Sequence, residues 1–231
     1  MIDEIALLAF RADWERRALG LILGAQREEQ AEVRVRGRSG FTHHRWLAVF
    51  FTIWIGIAEG WGQQVEEMLA TDEQKDARFF LAGSGLGVKS LHEEAATVEQ
   101  ITKIVTDKAL SVVEVSEAEW IALGEGVWGE GRAATQAATE TVQAQGWTQH
   151  QVAQQAPVLL LKIWQAILDS RTRDTHLDAN GQVRRLDDPF DVGGDSLQWP
   201  ADSRGSLAET INCRCWEDYE LVQAPGSLLR P

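Results

Sequence analysis

Apolar residues return every three or four positions along the first part of the chain. Leu7, Phe10, Trp14, Ala18, Leu21 and Ala25 form one such stripe, the pattern of an amphipathic helix. Gly37 and Gly40 interrupt it. A second stripe runs through Leu47, Phe50, Trp54, Ile57, Trp61, Val65 and Met68, with Trp46, Val49 and Ile53 on another face. A helix that is apolar on more than one side is buried on more than one side. This one is therefore expected at the centre of a bundle or in an oligomer contact, and Leu47, Trp54 and Trp61 are the candidate partner-docking residues. Its uncharged stretch, residues 46–58, is about 13 residues long, against the roughly 20 that a spanning helix needs. Membrane insertion is not expected, and a membrane-active segment is the minor alternative.

Further along, residues 83–87 are glycine-rich, but Lys89-Ser90 follows at the wrong spacing for a phosphate loop. Val98, Ile101, Val105, Ala109 and Val112 make another helical stripe, and Ser116 with Glu119 has the form of a capping box. Glycines on both sides of Trp128 mark a loop. Residues 132–145, rich in alanine and glutamine, read as a helix ended by Gly146. After Pro157 the texture changes. The apolar run 158–168 is a buried strand or a helix, which periodicity does not separate. Asn180-Gly181 is a two-residue hairpin signal. Ile211, Cys213 and Cys215 alternate with Asn212, Arg214 and Trp216 as a strand would. The fold class expected is α+β: a mainly helical N-terminal region, then a small loop-rich α+β module.

Charge narrows the function classes. The 231 residues carry 22 Lys+Arg against 35 Asp+Glu, a net charge of −13. Duplex backbone is held by clustered positive charge, and the one sizeable basic stretch is Arg34, Arg36, Arg38, His43, His44 and Arg45. Strong non-specific nucleic-acid binding is not expected. Ten tryptophans accompany one tyrosine, and most of them are expected in packing. The acidic start, Met1-Ile2-Asp3-Glu4, is unlike a signal peptide. The two cysteines are therefore expected as thiols in a reducing compartment.

Those cysteines, Cys213 and Cys215, carry the candidate chemistry. With His176 they offer three zinc ligands, and Asp174, Asp202 or water would be the fourth. The spacing is not the paired Cys-x-x-Cys pattern. The competing reading is two small buried residues beside a hydrogen-bonded histidine, and it leaves no cofactor. Arg171, Arg173 and Arg214 supply planar donors for loop carbonyls and for Asp187, Asp188, Asp195 and Asp202. A cysteine nucleophile with His176 as base is the enzymatic reading. No orienting third group for it is legible in the sequence, so a structural role is preferred.

In order, Trp164, Asp169-x-Arg171-Thr172-Arg173-x-x-His176, Gly181-Gln182, Phe190, Pro200-x-Asp202 and Asn212-Cys213-Arg214-Cys215, with Ala138-Thr139-Glu140 upstream, resemble the phage Mu F-like minor head protein family of tailed phages. The resemblance covers residues 132–216. It implies a head morphogenesis module over residues 132–231 and a helical docking region over residues 1–131. Arg171, Thr172, Arg173, His176, Asn212, Cys213, Arg214 and Cys215 would be the family-motif structural residues. It further implies a non-enzymatic minor component of the virion, made in the host cytoplasm and held inside the head. The portal protein and head interior proteins would be its partners, with roles in assembly, genome packaging or DNA delivery. The two-sided apolar helix also allows a homo-oligomer. Some relatives carry a toxin or nuclease domain after the Cys-Arg-Cys motif, and here residues 216–231 are too few for one. The alternatives are a small metal- or cysteine-dependent enzyme and a prophage-derived interaction module.

Overall fold

The two long apolar stripes become two long helices. In the computed structural model, which describes residues 2–36, 43–69, 99–100, 102–107, 109–110, 129–156 and 158–222, these are α1 (Glu4–Arg36) and α2 (His43–Leu69). They are followed by α3 (Glu130–Gln155), β1 (Leu160–Gln165), α4 (Asp174–Ala179), β2 (Val183–Arg185), β3 (Phe190–Val192), β4 (Asp195–Leu197), α5 (Leu207–Thr210) and β5 (Trp216–Leu221). The class is α+β, as the hydrophobic pattern predicts. The glycine-rich run 83–87 and the Ser116–Glu119 pair lie outside the described residues, as do Trp128 and three members of the third stripe, Val98, Ile101 and Val112. The other two, Val105 and Ala109, are buried in the core.

Asp3 opens α1 by accepting hydrogen bonds from the backbone N–H groups of Ile5 (2.9 Å) and Ala6 (3.2 Å). This satisfies donors that have no partner within the helix. On α2, Trp46, Phe50, Ile53, Trp54, Ile57, Trp61 and Val65 are all buried. Both helices pack on α3, and Leu7, Ala18, Phe50, Trp61, Ala137, Trp147 and Tyr219 belong to one hydrophobic cluster. The core thus runs from α1 to β5, across residue 131. Trp14 packs where α2 carries Gly56, since a Cβ there would lie 2.2 Å from its Cη2 atom.

α3 is the least expected element. Residues 139–150 are buried on every side, although most of them are polar. Buried polar groups need partners, and the neighbouring elements supply them. The Trp54 indole N–H donates to Glu140 (2.9 Å) and that of Trp61 to Gln149 (3.2 Å). Arg11 donates to Gln145, and the Gln149 amide donates to the Glu217 carbonyl. The helix continues through Gly146 rather than ending there. A Cβ at this position would lie 2.9 Å from the Pro200 carbonyl oxygen and 3.1 Å from Trp199. The glycine admits a loop against the helix, which offsets its propensity cost of about 1 kcal/mol.

The apolar run after Pro157 is a strand. β1 is central in an antiparallel sheet of order β2-β1-β5, with Lys162 opposite Arg184 on one side and Tyr219 on the other. Two local signals resolve differently from expectation. Asn180-Gly181 is not a two-residue hairpin, because α4 intervenes between β1 and β2. Gly181 (φ 79°) instead returns the chain to β1, its N–H donating to the Trp164 carbonyl at 2.8 Å. The two-residue hairpin is Gly193-Gly194 between β3 and β4, with φ of 61° and 88°, as a type I′ turn requires. The segment 211–215 is not a strand either. Asn212 sits at φ 55° and breaks the extension, so β5 begins at Trp216.

No described helix is long and apolar enough to cross a membrane. Trp54 and Trp61 are not available for docking a partner: they are 2% and 0% exposed and bonded to α3. Leu47 is half-buried against the same core. The polar acceptors on α3 make these tryptophans internal anchors of the fold.

Candidate functional site

The Arg-Thr-Arg-x-x-His and Asn-Cys-Arg-Cys motifs meet in space. After β1, Asp169 accepts a hydrogen bond from the Arg171 backbone N–H (2.9 Å), and Thr172 donates its hydroxyl to the Ile167 carbonyl. This tight turn leads into α4, which places His176 inward, 2% exposed. Arg173 reaches across to donate to the Ile211 carbonyl. On the other side, Asn212 uses the left-handed region that asparagine tolerates better than most residues, and its N–H donates to Thr139 of α3 (3.1 Å). The reversal turns Cys213 and Cys215 inward, 1% and 2% exposed. Arg214, between them, points outward and grips Asp169 with both terminal nitrogens, at 2.7 and 2.5 Å. The Arg171 side chain stays 75% exposed, with its Nε 3.8 Å from Asp169 Oδ2.

The three candidate ligand atoms converge. His176 Nδ1 lies 3.3 Å from Cys215 Sγ and 3.8 Å from Cys213 Sγ, and all three atoms fall within 4.8 Å of one another. Both cysteines are free thiols. Trp164 packs edge-on to the imidazole, with centroids 5.7 Å apart at 89°. Phe190, Val192, Leu197 and Ala201 complete the apolar wall around the cysteines. The two carboxylates proposed with them do not join. Asp202 is occupied by Arg204 and by the Gln198 N–H, and Asp174 is exposed at the start of α4.

Electrostatics separate the two sulfurs. The hydrogen bond with Cys215 pulls the Cys213 thiol well below its usual value against the effect of burial, and His176 lowers it further. Cys215 is pushed up by the same bond and by burial. Burial pulls His176 down, but the Cys213 sulfur outweighs it and the net shift is upward.

Three contributors were not legible in the sequence. Glu209 of α5 brings its Oε2 atom to 3.0 Å from His176 Nε2. It lies off the ring's N–H direction, which makes this a charge contact rather than a well-formed hydrogen bond. Thr175 holds the same oxygen at 2.8 Å. Arg11 of α1, 4% exposed, donates to the carbonyls of Arg214 (2.5 Å) and Cys215 (2.8 Å). Burial brings its guanidinium down to about 10. Behind β1, the buried Lys162, His150 and Tyr219 gather round Glu217. Tyr219 donates to it at 2.6 Å, His150 lies 3.2 Å away and Lys162 3.9 Å. Apart from Tyr219 with Glu217, each pairing joins residues far apart in sequence. Only Glu209, next to the cysteine motif, carried a local hint.

Glu209 is the third group that a Cys-His enzyme would need. The thiols are nevertheless buried, and the cleft of about 760 Å³ lined by Trp147, His150, Gln154, Trp199 and Arg204 is lined by none of His176, Cys213 and Cys215. The arrangement is a closed clasp, in which α1, α4 and α5 converge on one Cys-Arg-Cys segment.

The class defined is a helical protein whose C-terminal α+β module is fastened by internal polar pairs. Residues 93–217 match the model of the phage Mu protein F like family, and the chain belongs to that family. It is also similar to the uncharacterized protein YqbB of Bacillus subtilis (strain 168), at 33% identity over 88 residues, 36% of this chain. The match spans 29% of that relative's length. No solved structure matches. The family match begins at residue 93, ahead of residue 132.

Proposed function

We propose that this chain is a minor head protein of a tailed phage. It sits inside the capsid near the portal, aids head assembly, genome packaging or DNA delivery, and does no catalysis of its own. The observation that carries this reading is the family match over residues 93–217, within which the clasp is the central feature. Burial of the thiols favours a structural role over an enzymatic one. Charge favours protein partners over bare DNA. Arg45, in the basic stretch, is engaged by Glu28 (3.3 Å), Glu29 and Glu32 (2.7 Å). Its charge is neutralised before any phosphate arrives.

Cross-linking within purified particles tests the partner. Cross-links from this chain to the portal protein are the expected result. Cross-links confined to tail or outer capsid proteins would overturn the portal-vertex reading.

A further inference from the structure

We propose that His176, Cys213 and Cys215 hold one zinc ion, through Nδ1 and the two Sγ atoms, with Glu209 as the positioning residue behind the imidazole and one enclosed water as the fourth ligand. In a tetrahedral site with Zn–S of about 2.3 Å and Zn–N of about 2.0–2.1 Å, two sulfurs lie about 3.8 Å apart and sulfur and nitrogen about 3.6 Å apart. The observed Sγ···Nδ1 separations of 3.3 and 3.8 Å straddle that value. All three ligand atoms fit within 4.8 Å. A soft donor set of two thiolates and an imidazole selects zinc over magnesium or calcium.

Three further observations bear on the site. Glu209 lies 3.0 Å from Nε2, the nitrogen that faces away from the sulfurs, and is itself held by Thr175. As a charge contact, this carboxylate favours positive charge at the imidazole and at an ion bound to it. The Trp164 indole is fully buried, and its N–H has no oxygen or nitrogen acceptor. It packs in the same cluster as Cys213 and Cys215. Third, Arg11 and Arg173 bind the backbone carbonyls of Ile211, Arg214 and Cys215, which holds the cysteine segment in place ahead of any ligand. Binding displaces the two thiol protons to solvent. The two thiolates then balance the charge of the divalent ion within an apolar wall. The competing state is a metal-free thiolate–imidazolium pair between Cys213 and His176.

Metal content and cobalt titration of the full-length chain separate the two. Protein purified from zinc-supplemented cells should retain about one zinc per chain. Chelator should release it with a lowered melting temperature and two newly reactive thiols. Cobalt added to the stripped protein should give a sulfur-to-metal charge-transfer band. Glu209→Gln, which keeps the shape of the side chain, should weaken zinc affinity by about 10–100-fold. Absence of retained zinc together with absence of the cobalt band, in folded protein with both thiols intact, overturns the site. Unchanged affinity in Glu209→Gln overturns the positioning role.

Discussion

Trp54→Ala removes a buried link between α2 and α3. The indole is 2% exposed, its ring centroid lies 6.2 Å from that of Trp147, and its N–H donates to the Glu140 carboxylate at 2.9 Å. Truncating a buried Trp costs about 3–5 kcal/mol through lost transfer energy and the cavity left behind. Glu140 is 4% exposed, and losing a hydrogen bond to a charged group costs about 1.5–3 kcal/mol. The two contributions share one site and do not simply add. Trp54→Phe keeps most of the ring and removes the N–H, so it should show mainly the second. With a urea slope of about 2–3 kcal/mol/M, the Ala variant should unfold about 1–2 M earlier than wild type, and the Phe variant about half as far. Equilibrium unfolding of the isolated chain is the assay. An Ala midpoint within a few tenths of a molar of wild type would refute the internal role of Trp54. Loss of partner binding alone, at unchanged stability, would return it to a docking surface.

Two further outcomes follow from the clasp. Asn212 occupies the left-handed region at φ 55°, which costs a β-branched residue about 1–2 kcal/mol. Asn212→Gly should therefore melt close to wild type and Asn212→Val clearly below it, and equal melting of the two would refute the conformational reason for this asparagine. The Arg214 hydrogen bonds hold the Asp169 carboxyl well below its usual range. A carboxyl depressed in the folded state contributes stability that is fully present above its unfolded value of about 3.9 and is lost as pH falls through the folded value. The stability difference between wild type and Asp169→Asn should be flat above about pH 5 and shrink as pH falls below about 4. A difference that grows on acidification contradicts the pairing.

Periodicity placed α1 and α2 to within a few residues, because each buries a regular stripe against the core. Composition placed a helix at α3 but not its burial, in which Glu140, Gln145 and Gln149 are hydrogen-bond partners of Trp54, Arg11 and Trp61. A polar face buried by polar contacts has no hydrophobic signature. Gly146 misled for a related reason: its role is set by a loop more than fifty positions away. Asn180-Gly181 carried the right turn chemistry in the wrong setting, since a helix stands where a hairpin would otherwise close. The site was legible in its ligand atoms, His176, Cys213 and Cys215, because these residue types are few and clustered. Its supports were not, because Arg11 acts from the opposite end of the chain.

We expect this protein to be carried inside the phage head. Protease treatment of purified particles, intact and opened, with detection of peptides from residues 93–217 by mass spectrometry, tests it most directly. The chain should be present, protected in intact particles and digested once they are opened. Absence from particles, or digestion while they are intact, would contradict it.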